Sequence, residues 1–308
     1  MHYAWAYGYF LQSNVPIPGL SRAPDRSARV SLRIRLDASP PWGTRARSAR
    51  TSPGRPGHEK LSGGRHVLRY ADGTTFWLDA SRATIWSRWP ATLTLEDTAT
   101  YLLGPVLGWY LRLRGHLCLH ASAIATDEDC VAFVGSAGSG KSTLAAALAA
   151  GGSAVVTEDV ACCDEKRGAF WMRPGYPMIR LWPGSGELLA LRNLPRLTPN
   201  WGKRYLELGT AAHRFRHAPA RLAAVFILTE RRPLAVAAEI RPLPGQDALA
   251  ALLANTYGQP LASPAMRANE FSLLGLLARS VPVRSLTLNA DGSRLAEACD
   301  WIRHHALA

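Results

Sequence analysis

The run Gly135-Ser136-Ala137-Gly138-Ser139-Gly140-Lys141-Ser142 matches G-x-x-x-x-G-K-[ST] at every fixed position, with Thr143 following. In such a loop glycines let backbone N–H groups turn inward around an anion, the lysine reaches the β- and γ-phosphates, and the serine offers its hydroxyl to Mg²⁺. The chemistry is the holding of a nucleoside triphosphate, which kinases, motors, switches and transporters share. A phosphate loop also needs a carboxylate for its metal. Glu158 and Asp159, in SAVVTEDVACC, arrive on the next strand-like run. One acid can hold Mg²⁺ beside Ser142 while the other accepts a proton from an attacking hydroxyl. Ser142 and Asp159 form the candidate metal pair, although which acid is ligand and which is base stays open. His120, in LCLHASAIAT, reads either as a core residue or, if its strand pairs with the loop strand, as a proton partner facing the phosphates. Glu158, Asp159, His120 and Lys141 are the candidate catalytic set.

These residues need elements to hold them. Val131-Ala132-Phe133-Val134 reads as a buried strand entering the loop, Leu144 to Ala150 as the helix leaving it, and Gly151-Gly152 as its C-cap. LCLHASAIAT, AVVTEDVACCD, RLAAVFILTE and VPVRSLTLN are further short apolar runs of the kind buried strands make, and GQDALAALLANTYG, NEFSLLGLLARS and SRLAEACDWIRHHA have helical spacing. Upstream, EDTATYLLGPVLGWYLRLRG predicts a helix with a cap at Thr94 or Asp97 and a bend at Pro105. Residues 1–93 look β-rich: ARVSLRIRLD alternates with strand period, and HVLRYADGTTFWLD is a hairpin turning at Asp72-Gly73. Residues 40–65, rich in Pro, Gly, Ser and Arg, read as a flexible basic loop. The expected architecture is α/β: a β-rich unit over 1–93 and a P-loop nucleotide-binding unit over 94–308.

Composition narrows the class. With 308 residues and 47% apolar content the chain can bury a large core. No apolar run approaches the roughly 20 residues of a membrane span, and MHYAWAYGYF lacks the layout of a secretory signal. A cytoplasmic protein without membrane association is the expectation. The five cysteines lack metal-type spacing and read as buried thiols, with adjacent Cys162 and Cys163 pointing to opposite faces of one strand. A formal charge of +13 favours anionic partners, nucleotides or acidic peptides before nucleic acid.

Taken together, LHASAI, GSAGSGKST and TEDVA resemble the kinase domain of the HPr kinase/phosphorylase superfamily, and more narrowly the HPr-kinase-like lasso peptide kinases of ribosomal peptide biosynthesis. PGYPMIRLWP (174–183), KRYLEL (203–208) and YGYFLQSNVPIPGL (7–20) extend the likeness over nearly the whole chain, with 40–65 its weakest part. The resemblance implies phosphoryl transfer from ATP, with Mg²⁺, to a serine hydroxyl on a peptide or small protein. It makes His120 the active-site histidine and Glu158-Asp159 the paired aspartates of the family, with the first acid one methylene longer here. Arg180, Lys203 and Arg204 lie in the resembling stretches and are candidate phosphate contacts; Trp171, Tyr176, Trp182 and Trp201 could wall a peptide site. The glycine-containing signature of true HPr kinase/phosphorylases has no match, which disfavours HPr as the acceptor. HPr kinase/phosphorylase activity in carbon regulation, or a non-catalytic nucleotide sensor, are the alternative functions. The resemblance also leaves room for a homo-oligomer.

Overall fold

A computed structural model describes residues 1–308 except 26, 44–50, 52–55, 259–261 and 307–308. The described chain forms, in order, β1 (His2–Ala6), β2 (Tyr9–Ser13), β3 (Leu32–Arg35), β4 (Gly57–Leu61), β5 (Arg65–Arg69), β6 (Thr75–Asp79), β7 (Thr84–Arg88), α1 (Leu95–Tyr101), α2 (Leu107–Leu113), β8 (Leu117–Ala125), β9 (Asp129–Val134) and α3 (Lys141–Ala150). There follow β10 (Val155–Thr157), β11 (Val160–Lys166), β12 (Ala169–Met172), β13 (Met178–Leu181), α4 (Pro183–Leu188), β14 (Arg204–Glu207), β15 (Ala220–Leu228) and β16 (Ala238–Pro242). Helices α5 (Gly245–Ala254) and α6 (Pro264–Ser280), strand β17 (Val283–Leu288) and helix α7 (Leu295–Ala306) complete the described chain. The class is mixed α/β.

Strands β1 to β7 make one seven-stranded sheet in the order 1-2-3-7-6-5-4, built wholly from residues 2–88. Alternation in β3 buries Leu32 and Ile34 and leaves Arg33 and Arg35 toward solvent, as a one-sided sheet requires. The β5–β6 hairpin turns through Asp72-Gly73 as its sequence indicates. The basic loop reading of 40–65 is corrected at its C-terminal end. Gly57–Leu61 is an edge strand paired with β5, and Arg65 already belongs to β5. An edge strand needs only backbone partners on one side, so GHEKL can pair without an apolar period. Much of the remaining stretch, 44–50 and 52–55, lies outside the described residues.

The second sheet is mixed. The long strand β8 runs antiparallel to β9 on one edge, and to β10 and β11 on the other. Strands β9, β15 and β17 are parallel neighbours, as crossover helices allow. Between the sheets lies the segment 95–113. Thr94 caps α1, and Asp97 answers with its own carboxylate on the Thr94 N–H (2.8 Å), a capping box. Pro105 does not end the helix; residues Leu102–Val106 widen into a π-helical turn that accommodates the missing N–H, and α2 continues beyond it. Leu102, Val106, Trp109 and Tyr110 of this segment pack in one core with Leu32, Ile34 and Phe76 of the first sheet and Cys118, Val160 and Cys162 of the second. Cys163 faces the opposite core, with Leu119, Ala132 and Leu252, so the two cysteines do point to opposite faces. All five cysteines are buried free thiols.

The C-terminal helices are tied in by a buried ion pair. Arg112 on α2 clasps Glu270 on α6 with two parallel bonds (2.6 and 2.7 Å) and donates a third to the Gly258 carbonyl (2.7 Å). Among the described residues no helix is long and apolar enough to cross a membrane.

Candidate functional site

Strand β9 is fully apolar and buried from Cys130 to Val134, so the chain leaves the sheet's interior at Gly135 with no side chain to pack. The following residues turn through Gly138 and Gly140, both at positive φ, where glycine alone is unstrained. Helix α3 then starts at Lys141 with no side chain capping its first N–H groups. Ten residues long and buried along Leu144, Ala145, Leu148 and Ala149, it presents an uncapped positive end to whatever the loop encloses. The Lys141 ammonium donates to the carbonyls of Gly135 (2.7 Å) and Ser136 (2.8 Å). Burial pulls its pKa down to about 8 against the pull of Asp159 and Glu158, which raise it. The Ser139 hydroxyl is buried without a hydrogen-bond partner, and Thr143 meets Ser185 of α4 (2.8 Å).

The two acids sit at a break in a strand. β10 and β11 both pair with β8, with Thr157 opposite Ala123 and Val160 opposite His120. Between them the Val160 N–H donates to the Glu158 carbonyl (2.9 Å) across Asp159 at φ 71°, a three-residue γ-turn of the strained hand. A non-glycine residue held there costs on the order of 1–3 kcal/mol, and aspartate tolerates it better than most. The Thr157 hydroxyl closes the turn from below on the Val160 carbonyl (2.7 Å).

The turn sends the neighbouring carboxylates in different directions. Glu158 accepts from the Ser142 hydroxyl at 2.6 Å and is 5% exposed. Burial and the charge of Asp159 raise its pKa, while Arg180 and the Ser142 bond pull it back. Asp159 faces away from Ser142. Its Oδ2 receives the Arg180 guanidinium (2.6 Å) and the Tyr257 hydroxyl (3.0 Å), and its Oδ1 lies 3.2 Å from His120 Nδ1. Burial alone would raise its pKa, but Arg180, His120 and Tyr257 together outweigh it and hold the carboxyl well below the usual carboxylate range. The acid beside Ser142 is therefore Glu158, and not the Asp159 of the expected metal pair.

Of the remaining candidates, Arg180 is 8% exposed, committed to Asp159, and braced by the Thr100 carbonyl (3.3 Å). Lys203 lies over the Trp182 ring (5.1 Å) and its charge reaches both Lys141 and Glu158. Arg204 pairs through its backbone with Leu181, and no side-chain contact brings it to the acids. The four aromatics do not share one wall. Tyr176 is buried beside Tyr7, Trp201 packs edge-on to Tyr101, and Trp182 is 61% exposed under Lys203. His120 meets Asp159 rather than the phosphate loop.

Two participants carry no local signal. Tyr257 is placed by the segment after α5: the Asn255 carbonyl accepts from the His120 N–H (2.8 Å), and the Tyr257 N–H donates to the Cys118 carbonyl (2.9 Å). Gly104, in the π-helical turn, lets backbone lie against the acid–arginine pair: a Cβ there would stand 3.2 Å from Asp159 Oδ2 and 3.3 Å from the Arg180 guanidinium. The glycine of LLGP is legible as a close approach only once its neighbours are known.

An uncapped helix end, an ammonium resting on loop carbonyls and a hydroxyl bonded to a buried carboxylate suit a triphosphate and its magnesium ion. Ser142 and Glu158 are the pair that could hold the metal, which characteristically takes one or two protein ligands beside waters and phosphate oxygens.

No family model matches the chain, and no curated protein matches it. Among solved structures it is similar to the Hpr(Ser) kinase/phosphatase from Coxiella burnetii, at 15% identity and a TM-score of 0.32, over 62% of this chain and 96% of that one.

Proposed function

We propose that the protein is an ATP-dependent serine kinase acting on a peptide or small protein, with a lasso-type ribosomal peptide precursor as its acceptor. The domain division that goes with it is a β-rich unit over 1–93 and a P-loop kinase unit over 94–308. The reading rests on one observation above the others: a strained turn sets Glu158 against Ser142 and Asp159 among His120, Arg180 and Tyr257, beside a loop that matches a phosphate-binding motif. The peptide acceptor rests on the resemblance of LHASAI, GSAGSGKST, TEDVA and PGYPMIRLWP.

In this reading Lys141 exchanges its loop carbonyls for β- and γ-phosphate oxygens. Magnesium held by Ser142 and Glu158 would neutralise phosphate charge. Asp159 accepts the hydrogen bond of the serine hydroxyl and then its proton. Its low pKa suits an anchor for that hydroxyl better than a strong base, which a loose phosphoryl-transfer transition state does not demand. Arg180 and Tyr257 hold Asp159 in place, and His120 keeps its second oxygen engaged.

The test is transfer of label from γ-labelled ATP to serine-containing peptides and, separately, to HPr. Labelled peptide with wild type and none with Lys141→Ala is the expected result. Transfer that persists in Lys141→Ala, or HPr labelled in preference to peptides, contradicts it.

A further inference from the structure

The phosphate loop has an arginine on each flank, Arg180 on one and Arg231 on the other. β9, which carries the loop, lies between β8 and β15. Glu158 and Asp159 come from the β8 side, and the Arg180 charge is spent there on Asp159. On the β15 side, the chain leaves the sheet at Leu228 and reaches two arginines, Arg231 and Arg232. They are used differently. Arg232 pairs with Glu239 of β16. Arg231 folds back over the loop: its guanidinium lies 3.1 Å from where a Cβ on Gly140 would stand. Gly140 is the residue before Lys141, at φ 95°, so a side chain there would be strained and would also crowd the Arg231 guanidinium. Arg231 is half-buried, and among the described residues no hydrogen bond or ion pair engages its guanidinium. A half-buried guanidinium with five donors, beside the uncapped end of α3, is placed to meet an anion held by the loop.

Resting on the kinase reading above, we propose that Arg231 is the nucleotide's second anchor, a bidentate ligand for the phosphate oxygens that ADP and ATP share. The γ-phosphate must lie toward Asp159 to meet an acceptor; Arg231, on the opposite flank, grips the part of the nucleotide that does not move. It is a binding residue and takes no part in the transfer itself. Arginine suits this position better than lysine because its planar fork matches two phosphate oxygens at once.

Titration of Mg-ADP and Mg-ATP into wild type, Arg231→Gln, Arg231→Lys and Arg232→Gln by calorimetry tests this, with KM and kcat for labelled transfer alongside. Expected for Arg231→Gln is a loss of about tenfold in affinity for both nucleotides, the size of one charge-assisted contact. KM for ATP should rise in parallel and kcat should stay within about twofold. Arg231→Lys should recover part of the loss, and Arg232→Gln should bind as wild type does. Unchanged affinity in Arg231→Gln overturns the assignment while leaving the kinase reading standing. A loss confined to ATP and accompanied by a fall in kcat overturns it too, because Arg231 would then serve the γ-phosphate. Wild type that binds neither nucleotide overturns both readings together.

Discussion

The phosphate loop and the acid cluster sit against each other, yet they are built in opposite ways. The loop is one continuous run, Gly135 to Ser142, whose shape is set by its own backbone and by the strand and helix on either side. The acid cluster draws on Thr100 and Gly104, His120, Glu158 and Asp159, Arg180 and Tyr257, which only the folded sheet brings together. The loop should therefore tolerate changes elsewhere in the fold, and the cluster should not. Its charges are largely withdrawn from water and mutually dependent: Asp159 stays ionised because Arg180 is there, and Arg180 is tolerable in the interior because Asp159 and Glu158 are.

The largest effect that would sharpen this contrast is on chemistry. Lys141→Ala should abolish labelled transfer and weaken nucleotide binding together, because one residue of the loop serves both. A variant that keeps both would break the picture of the loop. Next is stability. Arg180→Leu strands the buried Glu158 and the part-buried Asp159, so chemical denaturation should show a loss of about 3 kcal/mol, with an Asp159 pKa that moves upward. Glu270→Ala strands Arg112 in the same way, outside the site, and should cost a similar amount without changing KM for ATP. If Arg180→Leu unfolds no more easily than wild type, the cluster is not the interdependent unit described.

The contrast also explains what was legible in the sequence. The loop's turn and the helix after it were legible because consecutive residues build them. Buried strands such as 130–134 and 220–228 announced themselves as apolar runs, and Thr94 announced its cap. The edge strand 57–61 did not, since GHEKL has backbone pairing but no apolar period. The direction of each carboxylate was hidden too: TED in a strand-like run says nothing of a γ-turn at Asp159, so the partner of Ser142 could not be chosen. Tyr257 and Arg180 touch Asp159 across 98 and 21 residues, distances over which no spacing rule operates.

Smaller effects probe the two regions separately. Tyr257→Phe removes one hydrogen bond from Asp159 and should cost about 1 kcal/mol in stability while raising the Asp159 pKa, readable by NMR titration. On the loop, Lys141 holds its proton below about pH 8. Affinity for ATP should therefore fall as pH rises through that value, where the ammonium becomes neutral and its attraction for phosphate is lost. Because burial lowers this pKa below its unfolded value, the unfolded chain binds more protons between about 8 and the ordinary lysine range near 10.4, and stability without nucleotide should rise across that window. Lys141→Arg should flatten both dependences.

The most direct test is the pair of readouts from Asp159→Asn: labelled transfer to a serine peptide, and the Kd for Mg-ATP by calorimetry. If the loop holds the donor and Asp159 the acceptor hydroxyl, transfer falls by about 10²–10⁴-fold while Kd stays within about threefold of wild type. Transfer near the wild-type rate, or ATP binding lost as completely as transfer, would contradict the account.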